Sequence, residues 1–395
     1  MKNKTFGIYI HWPFCVSKCP YCDFNSHVRQ SIDIQAWEKA LVTDLLSFHP
    51  WTHHQSVTSI FFGGGTPSLM PLDLVGTLLE KIHELWPVDQ HVEITLEANP
   101  NSVECEKFSA LSTAGINRIS LGIQSLRQKG LKFLGRSHSI ADAYKAIETA
   151  ATHFDRYSLD FIYTLPHQTL VEWQEELQEA LSLAKGHLSL YQLTIEEGTP
   201  FFLAYHKGDF QMPSSDISTD FYEATQQLMG SKGYHAYEVS NYAQRSQECR
   251  HNITYWHYHD YIGLGPGAHS RLTVGGEKYA IRRHRSPEKW MEDVFTKQDG
   301  THEKKILSWS GKCEEFLMMG LRLQQGICLK NFQTQMGYSP VQVLPEKKLN
   351  ALVSEGLLDL SSTHLKATSS GRQKLDGILR YLFDAPLKTP SILSS

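Results

Sequence analysis

Six short apolar runs alternate with amphipathic segments through the first half of the chain, and no other feature constrains the fold as much. The runs are Gly7 to His11, Ser59 to Phe62, His91 to Glu97, Arg118 to Ile123, Tyr157 to Ile162 and His187 to Leu193. Between them lie Asp33 to Phe48, Pro71 to Trp86, Glu104 to Thr113, Ile140 to His153 and Leu170 to Ala184, each with apolar residues at helical spacing. Strands alternating with helices build a parallel α/β sheet or barrel. Ligands in such folds sit at the carboxyl ends of the strands. Cys15, Gly63-Gly64-Gly65, Glu97, Gln124 and Asp160 stand at those ends.

After Pro200 the pattern changes. A stretch rich in Tyr, His and Gly runs to about Arg285, with one helix expected from Asp216 to Met229. From Gly311 the spacing predicts helices at Lys312 to Leu323, Leu329 to Met336 and Pro345 to Glu355. A small hairpin at Leu357 to Leu360 and His364 to Lys366 follows, then a helix from Ser370 to Phe383. This is a winged-helix-like α+β unit. The expected division is 1–200, 201–310 as a connecting region, and 311–395. A chain of 395 residues has room for one barrel and an appendage.

With 41% hydrophobic and 20% charged residues the composition is that of a globular protein, and no stretch approaches the ~18 apolar residues of a membrane span. The apolar run after Lys2 and Lys4 stops at His11-Trp12-Pro13, too short for a signal-peptide core, so a cytoplasmic location is expected. A net charge of −4 gives no positive field for nucleic acid. The winged-helix shape is therefore read as a packing module. The one basic cluster is Lys278, Arg282, Arg283, His284 and Arg285, expected as a solvated face, with a carboxylate clamp as the alternative.

Three of the seven cysteines crowd into Cys15-Val-Ser-Lys-Cys19-Pro-Tyr-Cys22. An odd number, clustered in this way, argues for metal in a reducing compartment rather than a disulfide frame. Zinc sites mostly draw four ligands from two separated pairs; three thiolates on one loop suit a cubane with one iron left open. The alternative is a zinc knuckle completed by His11 or His27. An open iron calls for a small-molecule ligand, and Gly63-Gly64-Gly65-Thr66-Pro67 lets backbone approach one closely.

Taken together, the cysteine loop after Tyr9-Ile-His11-Trp-Pro13-Phe14, the Gly63 to Pro67 run, Leu96-Glu97-Ala-Asn-Pro100, Leu121-Gly122-Ile-Gln124-Ser125, Leu134-Gly135-Arg136 and Asp160-Phe-Ile-Tyr163-Thr-Leu165-Pro166 resemble the oxygen-independent coproporphyrinogen III oxidase family of radical-SAM proteins. The resemblance covers nearly the whole chain. It implies a radical-SAM partial (β/α)6 TIM-like barrel with a smaller C-terminal domain. It also implies a 4Fe-4S cluster on Cys15, Cys19 and Cys22, with S-adenosylmethionine bound by Tyr9, Tyr21, Gly64, Gly65, Thr66, Glu97, Gln124, Arg136 and Asp160. Arg136 suits a carboxylate, and Glu97 and Asp160 suit ammonium or hydroxyl donors.

Within that family the oxidases carry a fourth cysteine two positions after the third, where this chain has Phe24. By contrast Cys22-Asp23-Phe24 and His251-Asn252-Ile-Thr-Tyr255-Trp256 resemble the HemW-type haem chaperones, as does Leu264-Gly-Pro-Gly267-Ala-His269-Ser270. One departure is Thr164, where relatives have Gly before Leu-Pro. The resemblance implies haem binding, with His251 as axial ligand, Cys249 as a competing one, and an acceptor protein as partner. From the residues alone a structural histidine beside core aromatics is the simpler reading of His251. The alternative function is the oxidase itself, decarboxylating coproporphyrinogen III with an electron donor as partner.

Overall fold

Phe6, Ile8, Ile10 and Trp12 alternate along the first strand, β1 (Phe6–Trp12), and all four are buried. Trp12 and then Phe14 meet Trp37 of helix Ile34–Thr52 edge-on, with ring centroids 5.8 and 4.9 Å apart. This row faces the helical layer, so Gly7, Tyr9 and His11 take the opposite face of the sheet. The computed structural model describes residues 5–389.

The other five expected strands form as β2 (Val57–Gly64), β3 (Val88–Ala98), β4 (Arg118–Gln124), β5 (Arg156–Tyr163) and β6 (His187–Gln192). They pair in sequence order with β1, every pair parallel. Right-handed helical crossovers impose that order on a parallel sheet. Two of the helices begin with full capping boxes, Ser139 with Asp142 and Thr169 with Glu172. The Glu104 to Thr113 segment breaks into two pieces, Ser102–Cys105 and Phe108–Thr113.

Residues 201–310 extend the same sheet at both ends. Strands β7 (His235–Ala236) and β8 (Asn241–Ala243) lie antiparallel beyond β6. Strand β9 (Asp260–Leu264) pairs parallel with the free side of β1, followed by antiparallel β10 (His269–Val274), β11 (Glu277–Arg283) and β12 (Thr301–Ile306). The resulting sheet is twelve-stranded, in the order β12-β11-β10-β9-β1-β2-β3-β4-β5-β6-β8-β7. It is the expected partial barrel, with a smaller C-terminal α+β unit.

That unit joins strands Ile327–Cys328, Leu358–Leu360 and His364–Ala367 in a small sheet, packed with helices around Phe316, Leu317, Leu349, Leu365 and Ile378. Tyr258, from the connecting region, belongs to the same core. Among the described residues no helix is long and apolar enough to cross a membrane.

The basic cluster is a solvated face only in part: Arg285 is exposed and Arg282 half-exposed, while Lys278 and Arg283 are buried. Lys278 of β11 pairs with Asp260 at 2.7 Å and Arg283, beyond a register shift in the strand, with Asp44 at 2.6 Å and Asp299 at 2.5 Å. His284 meets Asp293 at 2.9 Å, and Arg282 meets Glu303 at 3.3 Å. None of these four groups lines the large cavity described below, so the clamp reading falls as well.

Thr164 has a φ of 62° and is buried, and its hydroxyl finds no hydrogen-bond partner among the described residues. A β-branched residue is strained in this left-handed region, which glycine enters freely. Thr164→Gly is expected to raise stability by about 1 kcal/mol, the relieved strain and buried hydroxyl outweighing glycine's larger unfolded-state entropy. A lower urea midpoint for the variant would contradict this.

Candidate functional site

Strand β1 ends at Trp12, and the chain then turns through the cysteine loop along the carboxyl edge of β2. Two backbone bonds tie the glycine run to that loop: Gly65 N–H donates to Trp12 O at 2.7 Å, and Thr66 N–H to Phe14 O at 2.9 Å. A Cβ on Gly65 would sit 2.8 Å from Phe14 O and 3.0 Å from Cys15 Sγ; on Gly64, where φ is 117°, it would sit 2.6 Å from the His11 ring. Glycine is required here so that the loop can lie on the strand.

The three cysteines are free and partly buried. Thr66 Oγ1 donates to Cys15 Sγ at 3.4 Å, Arg136 Nη1 to Cys19 Sγ at 3.3 Å, and Ser26 Oγ lies 3.9 Å from Cys22 Sγ. Burial pushes the Cys15 and Cys22 thiols up, so both are neutral until a metal displaces the proton. Among the described residues no three His, Cys, Asp or Glu side chains are gathered closely enough for a single ion. The donor set of three thiols on one loop fits a cluster.

At the ends of the next strands stand two acids. Glu97 accepts from Gly64 N–H at 3.2 Å, while Asp160 accepts from Ser120 and Ser158 at 2.8 and 2.9 Å. Burial, and then the charge of Asp160, push the Glu97 carboxyl up to about 8; burial also raises Asp160. Gln124 has a φ of 65° beside them. Arg136 reaches Asn99 Oδ1 at 2.5 Å and Gly122 O at 3.1 Å besides Cys19, leaving its buried Nε without a partner.

A group whose folded pKa is raised holds its proton longer in the folded chain. Between the ordinary glutamate value and about 8, unfolding therefore releases the Glu97 proton, and stability falls as pH rises through that window. The slope approaches about 1.4 kcal/mol per pH unit for one proton. Glu97→Gln is expected to flatten it and to be relatively more stable at pH 8 than at pH 6, as urea midpoints at the two values would show. Equal slopes in both proteins would contradict the burial of that carboxyl.

One cavity of about 1090 Å³ gathers Cys15, Cys19, Cys22, Tyr21, Gly64, Gly65, Thr66, Glu97, Gln124, Arg136 and Asp160 in its wall. It continues past Tyr191 and Tyr222 to Arg322, Arg372 and Lys374 of the C-terminal unit. Tyr9 is the exception among the expected S-adenosylmethionine residues. Its ring lies off the cavity wall, stacked with Phe61 and His251 at 6.2 and 6.3 Å, and its hydroxyl is 3.1 Å from His11 Nδ1.

His251 also lies away from the cavity. It is 1% exposed, with Nδ1 2.9 Å from Ser59 Oγ and Nε2 2.6 Å from Tyr255 Oη, and its ring stacks on Phe61 at 5.1 Å. Both nitrogens are engaged, and neither is open to an iron in this fold. Burial lowers its pKa to about 3, so the ring is neutral. Cys249 is equally enclosed: it donates to Glu93 at 3.5 Å, and burial pushes its thiol up to about 12. Neither residue lines the cavity.

Several partners in the site were not singled out in the sequence. Asn99 bridges Thr66 and Arg136, and it stands inside the Leu96 to Pro100 motif. Ser120 and Ser158 hold Asp160, but a serine on a strand carries no signal of its own. Pro20, in the cluster loop, packs where a Cβ on Gly135 would sit, 2.7 Å away, which explains glycine before Arg136.

Comparison with known proteins agrees with this geometry. The Radical SAM superfamily is matched over residues 9–180 and the HemN C-terminal domain over residues 312–373. Curated relatives include Heme chaperone HemW of Haemophilus influenzae, 35% identical over 96% of this chain and 98% of its own. Heme chaperone HemW of Escherichia coli is 34% identical with the same coverage. Radical S-adenosyl methionine domain-containing protein 1, mitochondrial, of Mus musculus is 35% identical over 94% of this chain and 86% of its own. Among solved structures, the radical-SAM enzyme coproporphyrinogen III oxidase (HemN) from Escherichia coli superposes with a TM-score of 0.80. It is 20% identical and covers 96% of this chain and 90% of its own.

Proposed function

The chain belongs to the HemW family of radical-SAM proteins, and from that premise we propose that it binds haem and delivers it to an acceptor protein, with a 4Fe-4S cluster and S-adenosylmethionine held in the barrel. The observation that carries this reading is the cavity. At about 1090 Å³ it exceeds the ~300–1,000 Å³ of an ordinary small-molecule pocket and has room for a large flat ligand beside S-adenosylmethionine. Cys15, Cys19 and Cys22 would hold the cluster, which would supply electrons for reduction of a bound sulfonium. Gly64, Gly65 and Thr66 would pass the methionine end. Glu97 and Asp160 would receive its ammonium and the ribose hydroxyls, with Gln124 and Arg136 beside them. Haem would lie toward the C-terminal unit rather than on His251.

For function we divide the chain into the cofactor-holding 1–200, the connecting 201–310 and the closing 311–395. The cytoplasm is the proposed location, in keeping with seven free cysteines. The oxidase remains a second reading because that enzyme shares the fold. Against it, Phe24 stands 58% exposed where the oxidases have a fourth cysteine. The test is one anaerobically reconstituted preparation, titrated with haem and assayed with coproporphyrinogen III and an electron donor. A saturable Soret band without turnover is expected; turnover without haem uptake would overturn the proposal.

A further inference from the structure

The two ends of the cavity differ in the charged side chains they present. Near the cysteine loop its wall carries Glu97 and Asp160, which suit the ammonium and sulfonium cations of S-adenosylmethionine. From the C-terminal unit its wall carries Arg322, Arg372 and Lys374. Arg322 has one loose ion pair, with Glu238 at 3.5 Å, and stacks over the Trp256 ring at 4.9 Å. Arg372 has neither an ion pair nor a side-chain hydrogen bond among the described residues. The Nε atoms of both arginines are buried and unpartnered. Acids that line the cavity, Glu196, Asp216 and Asp376, make no ion pair with Arg372 or Lys374.

A half-buried guanidinium without a partner costs stability, because its lost hydration is not replaced. Guanidinium forks match carboxylates in shape and charge. Between the two ends the wall mixes Tyr191, Leu193, Tyr222 and Val239 with the polar Gln192, Thr219 and Ser240; Tyr191 leaves 43% of its surface uncovered and the buried Tyr222 hydroxyl lacks a partner. A flat apolar ligand with acidic substituents on one edge complements this surface.

We propose that Arg372, supported by Lys374 and Arg322, is the carboxylate subsite for the propionates of the tetrapyrrole held in the cavity. The inference rests on the haem-binding reading and adds the orientation: propionates toward the C-terminal unit, ring toward the barrel. An arginine that is idle in the free chain then gains its partners on loading.

The test compares haem with haem dimethyl ester, whose propionates are capped, on the reconstituted full chain and its Arg372→Gln variant. The unmodified chain is expected to prefer haem by roughly tenfold or more, and Arg372→Gln to lose that preference. Urea unfolding of Arg372→Gln should show unchanged or higher stability, since an unpaired half-buried charge has been removed. Lys374→Gln, at an exposed position, should weaken haem binding less but in the same direction. Equal binding of haem and its ester by the unmodified chain, or a preference that survives in Arg372→Gln, overturns the subsite while leaving haem binding intact. Binding of neither ligand overturns the haem reading itself.

Discussion

Replacing Cys19 by alanine is expected to abolish iron and sulfide uptake. Three thiols on one loop leave no spare ligand, and Cys19 is the sulfur to which Arg136 donates. Loss of an outer hydrogen-bond partner alone weakens metal affinity roughly 10–100-fold, so loss of a ligand exceeds that. After anaerobic reconstitution the variant should hold almost no cluster iron and lack the broad visible absorbance. Cys249→Ala serves as the control: its sulfur is enclosed beside Glu93, away from the loop, and its cluster content should be unchanged. A Cys19→Ala protein with a full complement of iron would remove the basis for the whole site.

His251→Ala is expected to act on stability instead. The ring fills a space bounded by Gly7, Phe61 and Tyr9, and its removal also strands Ser59 Oγ and Tyr255 Oη inside the barrel. Cavity creation together with two unsatisfied polar groups amounts to roughly 3–5 kcal/mol. The fraction that stays folded should still take up haem with an unshifted Soret band. His251→Asn, which keeps a polar side chain in place, should recover part of the stability. A lost or shifted haem spectrum in protein shown to be folded would instead restore His251 as an iron ligand, and would mean that helix Arg250–Trp256 leaves the barrel on loading.

How much of this was legible from residues alone follows from what each signal encodes. The parallel strands were, because apolar runs separated by helical periods leave little choice of sheet. Strand β9 was not: Asp260 to Leu264 sits in a stretch whose tyrosines and glycines mask alternation, and its partner lies some 250 residues earlier. The cysteine triad and the Gly64-Gly65 contact could be read because their spacing is itself the geometry. Burial could not be read for the basic cluster on β11, and for His251 the residues suggest a structural role while the family resemblance implies a ligand. A histidine looks the same in sequence whether its nitrogens face iron or Ser59 and Tyr255, and a run of Lys and Arg does not announce that Asp44, Asp260 and Asp299 will meet it.

The pairing of β9 with β1 bears on how the chain is made. At ~5–20 residues per second a ribosome needs on the order of tens of seconds to reach Asp260 after releasing Trp12. Throughout that interval one edge of β1 has no neighbour, although the other can already pair with β2. The cysteine loop hangs directly from the end of this half-paired strand, so its thiols meet the cell's oxidants and stray metals before the barrel is closed. Slowing translation ahead of residue 260 should therefore increase mismetallated or oxidised product, while the same delay placed after residue 310 should not.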